Sequence, residues 1–261
     1  MSNVGDELMG NTAMYAGLVI FDIDGVIRDV SRSYRRAIAD TVEHYTQGIY
    51  RPTMADIDNL KAEGIWNNDW KVSQELVKRH DPAIAPDYDE LVNFFQMKYR
   101  GENFDGYITS EPLLATKDYL DSLTANHFAW GFFSGAMRGS AEYVLKKRLG
   151  LEQPILVGME DAPEKPDPTG LFTAIAQLET ADTDQLPVAY VGDTVADMKV
   201  ISNAAEQQPL RQWRAIGIIP PHAQTGDDKE YAYAAKLQDV GADIVLPKVT
   251  DLTPDILKAL L

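Results

Sequence analysis

The chain repeats one local pattern. A short apolar run rich in strand formers stops at an acidic, hydroxyl or glycine residue, and a stretch of helical periodicity follows. Gly17-Leu18-Val19-Ile20-Phe21 is the first run, and it stops at Asp22. Similar runs lie at His127–Phe133, Pro154–Val157, Pro187–Val191 and Ala215–Ile219, with a sixth candidate at Asp243–Leu246. Runs this short, with no apolar–polar alternation, suit strands buried on both faces. Helical spacing is found over Gly139–Leu149, Thr169–Leu178, Val195–Ala205 and Asp228–Asp239. Thr253-Pro254 opens a last helix, with threonine as the cap and proline at its first position. Strands alternating with helices predict an α/β fold, a parallel sheet covered on both faces.

The alternation breaks once. Between Val30 and Ser110 no buried strand is predicted, and the pattern is helical. Tyr34, Ile38, Val42 and Tyr45 make one stripe, and Trp70–His80 and Tyr88–Arg100 make others, punctuated by Pro52, Pro82 and Pro86. A helical stretch inserted after the first strand reads as a small separate domain over residues 30–110. The core is then residues 17–29 and 111–261, and residues 1–16 read as a flexible leader. Within the insert, the segment Glu63–Trp70 gathers two tryptophans and two asparagines beside Lys61. Aromatic faces with amides suit a sugar phosphate, but core tryptophans at a helix–helix turn are the preferred reading.

The chain has no cysteine, which excludes disulfides, thiolate metal sites and thiol nucleophiles. Its formal charge is −16, from 40 acidic and 24 basic residues, which argues against nucleic acid as a partner. No apolar stretch is long enough to span a bilayer, and the acidic N-terminus does not read as a secretory signal. The expectation is a cytoplasmic protein with no membrane partner and no marked oligomeric state. An anionic substrate would need local cations, from Lys, Arg or a metal, against this overall field.

Four short motifs stand at the ends of the apolar runs. Asp22-Ile23-Asp24-Gly25 places two carboxylates at the C-terminal end of the first strand, the edge where ligands bind in open parallel sheets. Adjacent carboxylates repel unless a cation or a shared proton compensates. Ser134-Gly135 follows the second run and offers a hydroxyl and backbone N–H groups to a phosphate, or is simply a turn. Lys165 stands between Glu164 and Pro166, with Pro168 opening a helix, so its backbone is stiffened near the ligand edge. Gly192-Asp193-Thr194-Val195-Ala196-Asp197 follows the fourth run, and Asp193 is either a hard oxygen ligand for Mg²⁺ or a helix cap. Each motif is weak alone. Their order, and their placement at successive strand ends, carry the signal.

With this set the chain resembles the haloacid dehalogenase-like (HAD) superfamily, in its phosphoglycolate-phosphatase-like branch, from Gly17 onward. The resemblance implies a HAD-like doubly wound parallel sheet core with an inserted α-helical cap domain over residues 30–110. It implies a Mg²⁺-dependent phosphatase acting on a small phosphorylated metabolite through an aspartyl-phosphate. Asp22 would be the nucleophile and Asp24 the general acid and then base. Ser134 and Gly135 would hold the phosphoryl group, and Lys165 would stabilise charge. Asp22, Asp193 and the Asp24 backbone carbonyl would bind the metal, with Asp197 auxiliary. The usual Thr after the glycine is Val26 here. Arg28 is an unusual cation at the mouth of the site, expected either to contact an anionic substrate or to pair with Asp29.

The intact second aspartate argues against a dehalogenase, and neither Lys61 nor Lys71 is marked as the cap lysine of a phosphonate hydrolase. A sugar-phosphate mutase shares all four motifs and is the nearest alternative. A non-catalytic binding module ranks last, since no catalytic residue is missing.

Overall fold

The computed structural model describes residues 15–63, 66, 68–179 and 185–261. The expected leader falls outside the described residues up to position 14, as do positions 64, 65 and 67 of the tryptophan-bearing segment. Six parallel strands form one sheet in the order β3-β2-β1-β4-β5-β6. They are β1 (Gly17–Phe21), β2 (Phe128–Phe133), β3 (Leu156–Val157), β4 (Val188–Gly192), β5 (Trp213–Ile218) and β6 (Ile244–Leu246). The fold is α/β, as the alternating pattern predicts. The strand order reverses direction at β1, with β2 and β3 to one side and β4 to β6 to the other, which makes the crevice beside β1 the natural ligand edge.

Side-chain alternation in β1 explains why its sequence is apolar throughout. Val19 and Phe21 enter one core with α5 (Lys117–Ala125) and α10 (Pro254–Leu260). Leu18 and Ile20 enter the other with α7 (Thr169–Leu178) and α8 (Val195–Gln207). Both faces are dry, so no polar position is left. Helix α9 (Asp228–Asp239) adds Leu237 to the second core. Helix α6 (Arg138–Glu142) continues through Tyr143–Arg148 as a π-helical segment, where a regular α-helix is expected over Gly139–Leu149.

Among the described residues, four α-helices lie between β1 and α5, namely α1 (Ser33–Tyr45), α2 (Met54–Ala62), α3 (Asp69–His80) and α4 (Tyr88–Tyr99), followed by a 3-10 turn at Tyr107–Ser110. They share a third core of Ile38, Val42, Ile57, Val72, Leu76 and Phe95. Trp66 and Trp70 are half-buried against that core, in keeping with the structural reading of these tryptophans. Asn68 caps α3 by accepting from the N–H groups of Trp70 and Lys71. The two linkers to this helical insert are zipped together by backbone bonds. Leu114 N donates to Ile27 O at 2.8 Å, and Asp29 N donates to Pro112 O at 2.9 Å. Helix α5 has no counterpart in the sequence reading. Its Ser, Thr and Asp content hides the spacing of Leu120 and Leu123, which bury against β2 behind a Thr116 cap. No helix of the described residues is long and apolar enough to cross a membrane.

Gly170 shows how tightly the second layer is packed. A Cβ there would stand 2.1 Å from the Phe133 ring, at the strand end that leads to Ser134. Glycine inside a helix normally costs about 1 kcal/mol relative to alanine. Here overpacking reverses the sign. Gly170→Ala is expected to destabilise the fold by about 1–3 kcal/mol in urea unfolding; an unchanged or raised midpoint would show that the Phe133 ring yields freely.

Candidate active site

Strand register brings three motif residues to one edge. Phe21 of β1 lies opposite Phe132 of β2 and Val191 of β4. Asp22, Ser134 and Asp193 therefore leave adjacent strands within a residue or two of the same level. All three are buried, at 6 %, 1 % and 7 % exposure. The N–H of Ile23 donates to Asp22 Oδ1 at 2.7 Å and fixes that carboxylate. Ser134 Oγ accepts from the N–H of Ala136 at 3.2 Å. Gly135 is exposed, and a Cβ there would meet nothing within 4 Å, so the loop's backbone opens onto free space.

Lys165 supplies the cation. It arrives on the loop before α7, after which Asp167 accepts from the N–H of Thr169. The Lys165–Pro166 peptide is cis. Nζ lies 3.1 Å from Asp22 Oδ1 and 2.7 Å from Asp197 Oδ1. It also stands over the rings of Phe133 and Tyr190, at 5.2 and 5.4 Å from their centroids. Burial pulls this ammonium down, but Asp197 and Asp22 together raise it more, so it stays charged. Burial pushes the Asp22 carboxyl up to about 6, against the pull of Lys165 and with help from Asp197 and Asp24.

Asp193 has no such partner. Burial, then the charges of Asp197 and Asp22, hold it well above the usual carboxylate range. Gly25 makes its position possible. Its φ is +77°, and a Cβ there would sit 2.1 Å from Asp193 Oδ2. Carboxylate oxygens of Asp22, Asp193 and Asp197 lie within 4.8 Å of one another, a spacing that fits one divalent cation. Asp197, however, is already committed. Its Oδ1 accepts from Lys165 and from Tyr190 Oη, and its Oδ2 accepts from the N–H and hydroxyl of Thr194 in a capping box. Burial raises Asp197, yet Lys165 and the Thr194 bonds outweigh it and the carboxyl is held low. Asp22 and Asp193 are thus the carboxylates that suit a cation, and Asp197 is the fixture for Lys165.

Arg28 is placed differently from either expectation. It is fully buried, so it does not face a substrate, and it does not pair with Asp29, whose carboxylate accepts from Ser31 N. Nε of Arg28 donates to Asp24 Oδ1 at 2.6 Å, and Nη1 donates to Glu111 Oε2 at 3.0 Å. Asp24 keeps a 26 % exposed side chain. Burial pushes Glu111 up to about 7, against the charge of Arg28.

Three residues of this region escape the sequence reading. Tyr190 looks like one more core aromatic in an apolar strand, yet its hydroxyl bonds Phe133 O at 3.0 Å and Asp197 Oδ1 at 3.1 Å. Tyr233 of α9 donates to Asp193 O at 2.7 Å. Glu111 is a lone acid before Pro112, with no spacing that points across to Arg28.

The model of the family described as haloacid dehalogenase-like hydrolase matches residues 17–205. A protein of Phytophthora nicotianae named imidazoleglycerol-phosphate dehydratase is 30% identical over 251 residues, which cover 91% of this chain and 52% of that protein. The chain therefore spans about half the length of that relative. A HAD family hydrolase from Deinococcus radiodurans, solved with bound phosphate and sodium, shares the fold at a TM-score of 0.64 and 16% identity, over 95% of this chain and 98% of its own. A phosphatase from Thermococcus thioreducens does so at 0.61 and 20% identity, over 83% and 98%. On its sequence match and its fold, the chain belongs to the haloacid dehalogenase-like hydrolases.

Proposed function

We propose that this chain is a Mg²⁺-dependent phosphatase that hydrolyses a small phosphorylated metabolite through an aspartyl-phosphate on Asp22. The observation that carries this reading is the meeting of buried Asp22 and Asp193 with the half-buried Lys165 at one sheet edge. A nucleophile beside a fixed ammonium and an uncompensated carboxylate suits phosphoryl transfer, where positioning and charge neutralisation are most of the catalysis. Asp22, Asp193 and the Asp24 backbone carbonyl would hold Mg²⁺, which when bound would supply positive charge to the phosphoryl oxygens.

The chain's own residues do the rest. Asp22 attacks phosphorus, and its new O–P bond forms as the bond to the leaving oxygen breaks. Asp24 gives that oxygen a proton. Water then attacks the same phosphorus, Asp24 takes the water's proton, and inorganic phosphate departs with the Asp22 carboxylate restored. Ser134 and the backbone at Gly135 hold the phosphoryl oxygens, and Lys165 keeps Asp22 ionised and oriented. The helical insert acts as a cap that excludes water, swinging on the paired linkers around Ile27–Asp29 and Pro112–Leu114.

Phosphate release from a panel of phosphorylated metabolites, with Mg²⁺ and with EDTA, tests the reading. Asp22→Asn is expected to lower Mg²⁺-dependent release by about a thousandfold or more. Turnover with no phosphate release would favour the mutase instead.

The pH dependence has a definite sign. The folded state holds a proton on Asp22 up to about pH 6, whereas the unfolded state releases it near 3.8. Without metal, this group makes stability fall as pH rises across that window, and Asp193 adds in the same direction. A cation replaces those protons. The rise in Tm produced by millimolar Mg²⁺ is therefore expected to be small at pH 5 and larger at pH 7.5; an equal rise at both would contradict the assignment of these ligands.

A further inference from the structure

The guanidinium of Arg28 joins three parts of the molecule. Its Nε holds Asp24, two residues beyond the nucleophile, at 2.6 Å. Its Nη1 holds Glu111, on the second linker, at 3.0 Å, and Nη2 reaches the hydroxyl of Tyr34 at 3.4 Å. Glu111 also accepts from the hydroxyl of Ser33, the first residue of α1. Tyr34 stacks on Tyr99 of α4 at 4.3 Å. The backbone of Arg28 is in register with Leu113 across the paired linkers, and its carbonyl accepts from Gly25 N at 2.8 Å. Arg28 and the Glu111 side chain are 0 % and 1 % exposed, so neither can trade its partner for water. A planar fork with fixed donors also sets the orientation of each carboxylate it holds.

We propose that Arg28 is a positioning residue. It sets the placement of the Asp24 carboxylate and ties that placement to both linkers of the helical insert. The Asp24 carboxylate keeps access to solvent, whereas Arg28, Ser33 and Glu111 are buried and Tyr34 is half-buried. A swing of the insert that shifts those residues shifts the fork, and Asp24 moves with it. Proton delivery to the leaving oxygen is thereby coupled to the position of the insert. This rests on the role given to Asp24 in the phosphatase reading.

The test exploits leaving groups. An alkyl phosphate needs a proton on its departing oxygen, whereas p-nitrophenyl phosphate does not. The value of kcat/KM reports the steps through departure of that group. Arg28→Met alone strands a buried carboxyl, so the charge-balanced Arg28→Met/Glu111→Met is used, with folding checked by circular dichroism and thermal unfolding. The ratio of alkyl to aryl kcat/KM is expected to fall at least tenfold. It should fall as far in Asp24→Asn, and no further when the three changes are combined. Equal losses on both substrates, or a further fall in the Asp24→Asn background, would overturn the proposal. The clamp has a second readout that needs no turnover. The Arg28 Nε–H proton resonance, assigned by its absence in Arg28→Lys, is expected to move upfield in Asp24→Asn, and an unmoved resonance overturns the clamp. An alkyl rate unaffected by Asp24→Asn, alongside a shifted resonance, would refute the acid–base role of Asp24 and with it the coupling, while leaving the clamp itself in place.

Discussion

The contact between the Lys165 ammonium and the carboxylates of Asp22 and Asp197 is what makes the rest of this site possible. Three acids are buried within reach of one another, and burial alone would protonate all of them. Unit charges about 4 Å apart interact by about 4 kcal/mol at an effective dielectric near 20, so one well-placed cation decides which acids stay ionised. Lys165 is closest to Asp197, which also receives Tyr190 and two bonds from Thr194, and this acid is held low. Asp22 shares the same ammonium at a longer distance and with fewer donors, and it is pushed up to about 6. Burial, then the charges of Asp197 and Asp22, hold Asp193 well above its ordinary range, and no ion pair with the lysine offsets them. That leaves Asp22 and Asp193 as the pair that gains most from a divalent cation.

The parallel sheet was legible because β1 is buried on both faces and so contains no polar residue until Asp22. The candidate site was legible for a related reason. Each motif ends a strand, and neighbouring strands in a parallel sheet deliver their ends to one edge. What sequence could not convey was pairing across the fold. Arg28 and Glu111 are 83 positions apart, and nothing in either neighbourhood marks the other. Tyr190 read as core because its ring is core; only its hydroxyl belongs to the site. Helix α5 has a weak signature in sequence because its apolar face is narrow and its polar residues are those that also favour turns.

Arg28 shows how a residue type can mislead when burial is unknown. A cation after Asp22-Ile23-Asp24-Gly25 suggests a contact for an anionic substrate. Its zero exposure rules that out, and the same charge instead organises an acid of the site from behind. Burying a guanidinium is costly unless its donors are met by well-placed acceptors. Here the acceptors come from the strand exit, the second linker and the first helix of the insert, so the requirement to satisfy one buried cation also fixes where the insert joins the core.

Overall charge sharpens the same point. A chain with a net charge of −16 repels a phosphate dianion at long range, so on the phosphatase reading recognition must be local. The described site contributes one lysine, a hydroxyl and open backbone at Gly135, against three carboxylates, Asp22, Asp193 and Asp197, that would all be anions when active. One ammonium cannot offset those acids and a dianion together. Cation binding is therefore expected to precede or accompany substrate binding rather than follow it. Below about pH 6 the metal-free site holds a proton on Asp22, and on the phosphatase reading that is the form in which it is a poor nucleophile.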